Sequence, residues 1–310
     1  MELRPIEITR PGRRELSRAA RFLIAGPLGE DLADAQAQTL LARLRMDGAM
    51  LFWACREASP VAAAAILPSA GNVGMLLLSP LRGGGVDADA LAATVAAAGA
   101  ESLQRGAAFV QALADPGAHG ESEVLARAGM THAATLAYMR LDLRAGALPP
   151  APAIGGLGWH SGLDFGDDRL SAVIAASYEQ SLDCPGILGV RTRQEVLAGH
   201  RANGTYRREC WWVATIDGQD AGCILVNDSV PPGGGEVAYL GVAAGFRRRG
   251  LGRCLLEKAA FQAIRRGSRY LALAVDEHNA PAVALYRGAG FSLTHRRAVW
   301  VKLPAKNPTC

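Results

Sequence analysis

The chain has 310 residues, half of them apolar, and is therefore long enough for two domains with sizeable cores. Its net charge of +4 and isoelectric point near 8.8 come from charges of both signs spread along the sequence, which does not indicate a polynucleotide partner. The six cysteines form no Cys-x-x-Cys pair, the N-terminus lacks a signal peptide's apolar segment, and no apolar run is long enough to span a bilayer. We expect a cytoplasmic protein with no metal, membrane or nucleic-acid partner; the oligomeric state stays open.

The first half of the chain alternates short apolar runs with one long amphipathic segment. We predict strands for "MLFWACRE", "PVAAAAIL" and "VGMLLLS", a turn for "LRGGG", and a helix for "DADALAATVAAAGAESLQRG". A strand "AFVQALA", a helix "SEVLARAGM" and a closing strand "LAYMRLDL" follow.

The segment "RAGALPPAPAIGG" is rich in Pro, Ala and Gly, which is typical of a linker. We place the linker at residues 145–153, between domains at 1–144 and 154–310.

The second half repeats the order of the first. Strands are predicted for "CWWVATI", "AGCILVN" and "GEVAYLGV"; after the turn "FRRRGLG" come the helix "RCLLEKAAFQAIRRG", the strand "YLALAV", the helix "NAPAVALYRGAG" and the strand "AVWVKL". Asn279 is suited to cap the start of the last helix, and Gly290 its end. Each half is thus predicted to be an α/β (α+β) domain, a mixed sheet flanked by helices.

The turn "FRRRGLGRCLL" matches neither of two common phosphate-binding patterns. A P-loop needs Lys and then Ser or Thr after its last glycine, and the dinucleotide fingerprint needs a third glycine where Leu255 stands. What fits is Arg-x-x-Gly-x-Gly, formed by Arg247, Gly250 and Gly252, between an apolar strand and a long helix. Such a turn directs unpaired N–H groups and the helix dipole at one point, which suits a pyrophosphate.

This pattern resembles the acetyl-CoA signature of the GNAT-type N-acetyltransferases. From Asn279 the chain continues "NAPAVALYRGAGF", which resembles the family's second signature, Asn-x-x-Ala-x-x-Leu-Tyr-x-x-x-Gly-Phe. The resemblance is specific over about 210–302. It implies two tandem GNAT-like domains, each with a mixed, mostly antiparallel sheet, in a layout similar to mycothiol synthase and other two-domain bacterial acetyltransferases.

The resemblance also implies an acetyl-CoA site. In the family, a backbone N–H at a splayed or bulged point of the strand before the turn polarises the acyl carbonyl, here around Leu240, Gly241 and Val242, and Gly241 suits such an irregularity. Asn279 resembles the asparagine that caps the helix or contacts the pantetheine arm. The residues expected to bind acetyl-CoA are Leu240, Val242, Arg247, Arg248, Arg249, Gly250, Leu251, Gly252, Arg253 and Asn279.

The family's reaction is a direct attack of an amine on the thioester. An amine with a pKa of about 10 must first lose a proton, and Glu236, at the start of the strand, is the first choice for the base, ahead of Glu209 and Asp183. Tyr286 matches the tyrosine that protonates the departing CoA thiolate. Cys184 and Cys254 lack a ligand spacing and are interpreted as structural.

The acceptor is expected to be a primary amine on a small molecule or a peptide. The segment before "CWWVATI" usually shapes its pocket in this family, which makes Asp183, Trp212 and Tyr178 the candidate acceptor residues. An acetyltransferase of protein N-terminal amines and a non-catalytic CoA sensor are the alternatives.

Only the second half is expected to catalyse. When the repeats are aligned, Arg82 and Gly85 match the turn of the second half, but Asp87 replaces its final glycine and adds a negative charge. Leu125 stands in the place of Tyr286, so the proton donor is missing as well. The first half is thus predicted to be a degenerate GNAT-like domain.

Overall fold

The computed structural model describes residues 6–26, 34–81, 85–145, 148 and 150–305. It divides into two compact units: an N-terminal unit of Met1–Ala133 with Ala298–Cys310, and a C-terminal unit of Ala134–Arg297. Arg82 and residues 146, 147 and 149 of the predicted linker lie outside the described residues.

The N-terminal unit is a sheet with helices on its faces. Its strand order is β1-β2-β3-β4-β5-β12, and all adjacent pairs are antiparallel except β4 with β5. The elements are β1 (Glu7–Thr9), α1 (Leu16–Ala25), α2 (Asp34–Leu44), β2 (Met50–Arg56), β3 (Ser59–Ser69), β4 (Val73–Leu78), α3 (Ala88–Gln104), β5 (Phe109–Ala114) and α4 (His119–Arg127), with the last residues of β12 (Ser292–Lys302).

The C-terminal unit has the same plan. Its strand order is β12-β6-β11-β10-β9-β8-β7, and β10 with β11 is its parallel pair. The elements are β6 (Thr131–Asp142), β7 (Leu157–Ser161), α5 (Asp167–Tyr178), α6 (Arg193–Ala202), β8 (Trp211–Ile216), β9 (Gln219–Asp228), β10 (Gly235–Val242), α7 (Leu251–Arg265), β11 (Tyr270–Asp276), α8 (Ala280–Gly288) and the first residues of β12. The predicted fold class, a mixed and mostly antiparallel sheet flanked by helices in each half, is confirmed.

The closing strands are exchanged relative to the sequence prediction. We expected "LAYMRLDL" to complete the first domain, but residues 136–142 of β6 pair with β11 of the C-terminal unit. Residues 298–302 of β12 pair instead with β5 of the N-terminal unit. The units therefore divide near residue 134 and again near 298, and not at the linker of 145–153, because strand pairing outweighs chain order in forming each sheet.

Each sheet carries a core on both faces. In the C-terminal unit, α7 and α8 pack on one face around Leu255 and Leu271, which are fully buried. Helices α5 and α6 pack on the other face around Leu170 and Trp211. Among the described helices, none combines the length and the apolar composition needed to cross a membrane.

Candidate active site

Helix α7 begins at a turn whose backbone donors point to no protein acceptor. Gly250 is the N-cap residue, with φ 85°, and gives α7 no side-chain cap, whereas α8 is capped by Asn279, whose Oδ1 accepts the N–H of Ala282 at 3.3 Å. Within the described chain, the N–H groups of residues 248–252 donate to no backbone or side-chain acceptor. A helix start with free N–H groups and a positive dipole end is an anion site.

Packing requires glycine at position 250 and favours it at position 252. A Cβ on Gly250 would overlap Pro152, and φ 85° is itself a strained conformation for other residues. A Cβ on Gly252 would lie 3.0 Å from Cδ2 of Leu285 on α8. The two glycines therefore let the start of α7 pack closely against Pro152 and α8, and they also leave its backbone N–H groups accessible.

The arginines of the turn have different environments. The guanidinium of Arg247 donates to the carbonyls of Val242, at the end of β10, and Ser177, near the end of α5, at 3.1 and 2.9 Å. It also donates to the exposed carbonyls of residues 179 and 180, at 2.6 and 3.3 Å. Arg248 and Arg249 are exposed, and the N–H of Arg253 donates to the Gly250 carbonyl at 2.9 Å. Arg247 thus joins α5 to β10, while the next two side chains are open to solvent.

Strands β10 and β11 diverge immediately before this turn. They pair only at Gly235 with Leu271 and at Glu236 with Ala272, although β11 stays paired with β6 along its whole length. The edge of β10 after Glu236, which includes Leu240 and Val242, is therefore not paired with β11. The gap between the separated strands, called the cleft below, runs toward the start of α7.

The bulge in β10 lies three residues earlier than predicted. The register with β9 shifts between Val237 and Tyr239, whereas Gly241 pairs regularly with Cys223. Gly241 is instead required by space, because a Cβ there would overlap Ser177 of α5. The bulge suggested for Gly241 is not found there, because close packing of a helix on a strand also selects glycine. The splayed strand that the sequence equally allowed is present, since β10 is not paired with β11 after Glu236.

Tyr286 lies on α8 and is buried, with its ring 5.8 Å from that of Phe291. Burial and, secondarily, the negative charge of Asp183 raise the pKa of its phenol. No described residue forms a hydrogen bond with its hydroxyl. Tyr286 is therefore a neutral phenol whose proton is not committed to a protein acceptor.

Glu236 occupies the point at which the strands separate. Burial raises the pKa of its carboxyl, and hydrogen bonding to the Asn203 side chain opposes the rise. Burial raises the pKa of Tyr138, the Arg297 charge opposes the rise, and the Glu236 charge adds to it. Tyr138 stacks on His295, with ring centroids 4.3 Å apart. A carboxylate with a raised pKa is suited to accept a proton near neutral pH.

Asp183 is held at the end of β11 by the backbone N–H of Asp276, and the Asp276 carboxylate holds the next residue, Cys184. Its Oδ1 accepts the N–H of Asp276 at 3.2 Å, and Oδ2 of Asp276, which is 2% exposed, accepts the N–H of Cys184 at 3.2 Å. Burial and then the charge of Asp276 raise the pKa of Asp183. Burial and both carboxylates raise the pKa of the Cys184 thiol to about 12, so this cysteine stays protonated and is not a nucleophile.

The α5 face of the sheet carries an aromatic cluster beside the bulge. Tyr178 and Tyr239 form an edge-to-face pair with centroids 5.7 Å apart, and the Tyr239 hydroxyl lies 2.6 Å from Oγ of Ser177. Burial raises the pKa of Tyr178 to about 12. Burial also lowers the pKa of His200, which contacts Tyr239, to about 4 and keeps its imidazole neutral.

Trp212 does not belong to this cluster. Its neighbour Trp211 packs against α5 and α6, so alternation along β8 turns Trp212 to the α7 face. There Lys258 Nζ lies 3.6 Å from the centroid of its ring. The prediction that one pocket contains Trp212, Asp183 and Tyr178 therefore fails for Trp212.

Three residues near Glu236 and Asp183 were missed from the sequence. Tyr138 lies on β6, which was assigned to the first domain; Asn203 is in a segment without a motif; and Asp276 ends a buried strand. Only Asp276 carried a signal, because a carboxylate at the end of a buried strand is unusual. No group of three described His, Cys, Asp or Glu side chains is placed to hold a metal ion.

In the N-terminal unit the corresponding helix start is closed. The Oδ1 of Asp87 accepts the N–H groups of Asp89 and Ala90, each at 3.0 Å, and its Oδ2 accepts from Arg56 at 2.7 Å. The backbone bond from Ala90 and the Arg56 guanidinium lower the pKa of Asp87. The carboxylate thus occupies the place that an anion would take on α3, whereas the start of α7 is open.

The sequence matches to known proteins cover only part of the chain. The model of the Acetyltransferase (GNAT) family matches residues 178–291. A mycothiol acetyltransferase of Corynebacterium aurimucosum is 38% identical over 71 residues, 23% of each chain, and one of Thermobifida fusca is 39% identical over 70 residues, 23% of this chain and 22% of the relative. The aligned stretch thus covers less than a quarter of the length of these relatives.

Solved structures match over nearly the whole chain at low identity. A GCN5-related N-acetyltransferase from Sphaerobacter thermophilus has a TM-score of 0.61 and 19% identity, covering 97% of this chain and 96% of that chain. A tandem GNAT protein from the clavulanic acid biosynthesis pathway has a TM-score of 0.54 and 16% identity, covering 97% and 100%. These two structures share the fold of this chain, and residues 178–291 are the part of the chain that matches the GNAT family of acetyltransferases.

Proposed function

We propose that the chain transfers an acetyl group from acetyl-CoA to a primary amine on a small molecule, and that the C-terminal unit performs the reaction. The observation that carries the proposal is the uncapped start of α7, with free N–H groups at residues 248–252, at the end of a cleft between diverging strands. Free donors at a helix start suit a pyrophosphate, and a cleft along an unpaired strand edge suits an extended amide-containing arm.

The acetyl-CoA residues take three roles in this proposal. The backbone of residues 248–252 binds the pyrophosphate, and the exposed side chains of Arg248 and Arg249 bind further phosphate oxygens. The free edge of β10, including Leu240 and Val242, binds the pantetheine arm. Arg247 acts as a positioning residue, because its guanidinium is already bonded to four carbonyls.

The chemistry is a direct acyl transfer with proton transfers at two residues. Glu236 takes the proton from the acceptor ammonium, directly or through one water, and the free amine nitrogen bonds to the acetyl carbon. The carbon–sulfur bond breaks, Tyr286 donates its phenolic proton to the departing thiolate, and the second proton of the amine nitrogen passes through water to the Tyr286 phenolate, which leaves a neutral amide and restores the phenol. The raised pKa values of both groups support these roles, since the carboxyl accepts a proton more readily and the phenol remains protonated at neutral pH.

The acceptor side of the cleft favours a cationic amine. Glu236 and Asp183 are carboxylates, and Tyr138, Tyr178 and Tyr239 supply aromatic surface near them. Carboxylates and aromatic faces both attract an ammonium group. The acceptors implied by the names of the relatives support a small molecule over the alternative, the N-terminal amine of a protein.

The acetyl-CoA site is tested at Gly252 with two substitutions. Gly252→Glu places a carboxylate at the anion site, whereas Gly252→Ala adds only a Cβ against Leu285 and controls for packing. We expect calorimetric titration to show at least a hundredfold weaker acetyl-CoA binding for Glu and a change of a few fold for Ala. Equal weakening in both folded variants would assign the effect to packing and contradict the anion site.

The acceptor class is tested by comparing a panel of small primary amines with a library of peptides that have free N-termini. Turnover on small amines with none on peptides is expected. Turnover on peptides alone would favour N-terminal acetylation, and acetyl-CoA binding without turnover on either panel would favour a CoA sensor.

A further inference from the structure

The face of the C-terminal sheet that carries Glu236 is open over the middle of β11. The large apolar residues of β11 lie in the core beneath α7 and α8, so strand alternation places Ala272 and Ala274 on the opposite face. The core that α5 and α6 form on that face draws its strand residues from β8, β9 and β10 and none from β11 or β6. Ala274 is exposed, so the two alanines form a shallow floor beside Glu236. We call this surface the open face.

The register of three strands places Arg140 on the open face, across Ala272 from Glu236. Ala272 pairs with Glu236 of β10 on one side and with Arg140 of β6 on the other. Directly paired residues point to the same face of a sheet, so all three side chains share the open face. Neighbouring strands lie about 4.8 Å apart, which puts the Cα atoms of Glu236 and Arg140 about 10 Å apart.

The Arg140 guanidinium lies over the ring of Tyr270. Its Cζ is 3.8 Å from the ring centroid. The ring is fixed by its hydroxyl, 3.0 Å from Oγ of Ser229, and by close contact with Gly234, where a Cβ would overlap it. Since Gly234 stands two residues before Glu236, the ring holds the guanidinium beside the start of β10.

The Arg140 guanidinium forms no hydrogen bond or ion pair with any described residue. The nearby carboxylate of Asp142 is bonded to Arg144 instead, at 3.2 and 3.0 Å. Those bonds lower the pKa of Asp142 to about 2, and the Arg140 charge is the smallest contribution. An arginine stacked on an aromatic ring keeps its in-plane N–H donors, which match the oxygens of a carboxylate or phosphate. Arg140 is therefore a cation available to a ligand.

Charge is divided across the open face. Arg140 lies on β6, and Tyr138, which pairs with Ala274, lies on the same strand. Burial raises the pKa of Tyr138, and the charge of the exposed Arg297 on β12 opposes the rise. Glu236 lies on the other side of the alanine floor, on β10. A molecule with a cationic end and an anionic end therefore complements both sides of the floor.

We propose that the acceptor is a zwitterionic small molecule whose anionic group, a carboxylate or a phosphate, binds Arg140 while its ammonium group faces Glu236. The spacing of the strands limits the distance between the two charges of the acceptor to roughly 10 Å. Arg140 is a specificity residue that contacts the acceptor and takes no part in proton transfer. This inference rests on the acetyl transfer proposed above and adds the charge of the acceptor to it.

The probes are three amines that share a six-carbon chain and differ at its other end: 6-aminohexanoate, 6-aminohexyl phosphate and the neutral 6-aminohexanamide. Because a charge-assisted hydrogen bond to arginine contributes about a factor of ten or more, we expect kcat/KM for an anionic amine to exceed that for the amide at least tenfold, mainly through KM. The carboxylate and phosphate arms identify which anion is bound. Equal kcat/KM for all three amines would overturn the proposal.

Substitution of Arg140 locates the anion site. Arg140→Ala should raise KM for the preferred anionic amine at least tenfold, while kcat/KM for the amide and the Kd of acetyl-CoA stay at wild-type values. Arg140→Lys keeps the charge and should retain part of the preference. Arg265→Ala is the matched control, because the exposed Arg265 lies over Phe261 on α7, with its Cζ 5.7 Å from the ring centroid. An unchanged preference in folded Arg140→Ala would refute the assignment.

Acceptor binding is also measured without turnover, by NMR titration of the same three amines in the presence of CoA. Tighter binding of an anionic amine that is lost in Arg140→Ala supports the anion site even if no amine is acetylated, a result that would contradict only the proposed acetyl transfer. Binding that does not distinguish the three amines contradicts the anion site, whether or not they are acetylated.

Discussion

The substitution Arg247→Ala distinguishes two roles for this side chain. It either holds α5 against β10 as a structural clamp or binds a phosphate of acetyl-CoA. The guanidinium donates to four carbonyls, and those of Val242 and Ser177 are part-buried whereas the other two are exposed. Hydrogen bonds from a charged donor contribute about 1.5 to 3 kcal/mol each, and water can replace the exposed pair. The two part-buried bonds therefore give an expected loss of about 3 kcal/mol in the free energy of unfolding.

The assay is urea unfolding followed by tryptophan fluorescence, with amide hydrogen exchange to locate the change. Exchange should accelerate in the last turn of α5 and at the end of β10, the two segments that Arg247 joins. Arg247→Lys keeps the charge but not the forked geometry of the guanidinium. We expect it to lower the free energy of unfolding by about half as much as Arg247→Ala does.

Arg248→Ala is the matched control, because Arg248 is exposed on the same turn. Its unfolding free energy should change by less than about 0.5 kcal/mol, while acetyl-CoA binding should weaken about fivefold. The clamp is refuted if Arg247→Ala unfolds like the wild type and loses only acetyl-CoA affinity, since the side chain would then act as a phosphate ligand.

Three further predictions concern single side chains. Tyr286→Phe should lower kcat about a hundredfold with little change in the dissociation constant of acetyl-CoA, and equal turnover would remove Tyr286 from the mechanism. In the wild type, kcat/KM should fall as the pH drops through the Glu236 pKa, which burial raises above 4.5, because the protonated carboxyl cannot accept a proton; the acidic limb should disappear in Glu236→Gln, and its persistence would indicate another base such as Asp183. Asp87→Ala should destabilise the N-terminal unit by about 1 kcal/mol at neutral pH without changing turnover. Because the folded pKa of Asp87 is lowered, this contribution is present above the unfolded value of 3.8 and is lost as the pH falls through the folded pKa, so a destabilisation that persists at lower pH would contradict the capping role.

The sequence by itself determined the local parts of the site. Strand β10 was predicted at its observed bounds, 235–242, and the turn with Gly250 and Gly252 precedes α7 as expected. Asn279 caps α8 as the pattern indicated. These features follow from neighbours within a few residues, where apolar periodicity, glycine conformation and side-chain capping leave a direct mark on the sequence.

Tertiary structure decided everything that depends on which segments meet. The exchange of β6 and β12 set the limits of the two units and placed Tyr138 opposite Ala274 of β11, in the unit that contains Glu236. Packing of α5 on β10 explains Gly241, and the bulge lies between Val237 and Tyr239. The Arg247 guanidinium, expected from the sequence to bind phosphate, is hydrogen-bonded to carbonyls of both α5 and β10. The physical reason is that strand pairing and helix packing join residues far apart in the chain, and a one-residue shift of register moves a side chain to the opposite face of the sheet without changing the sequence pattern.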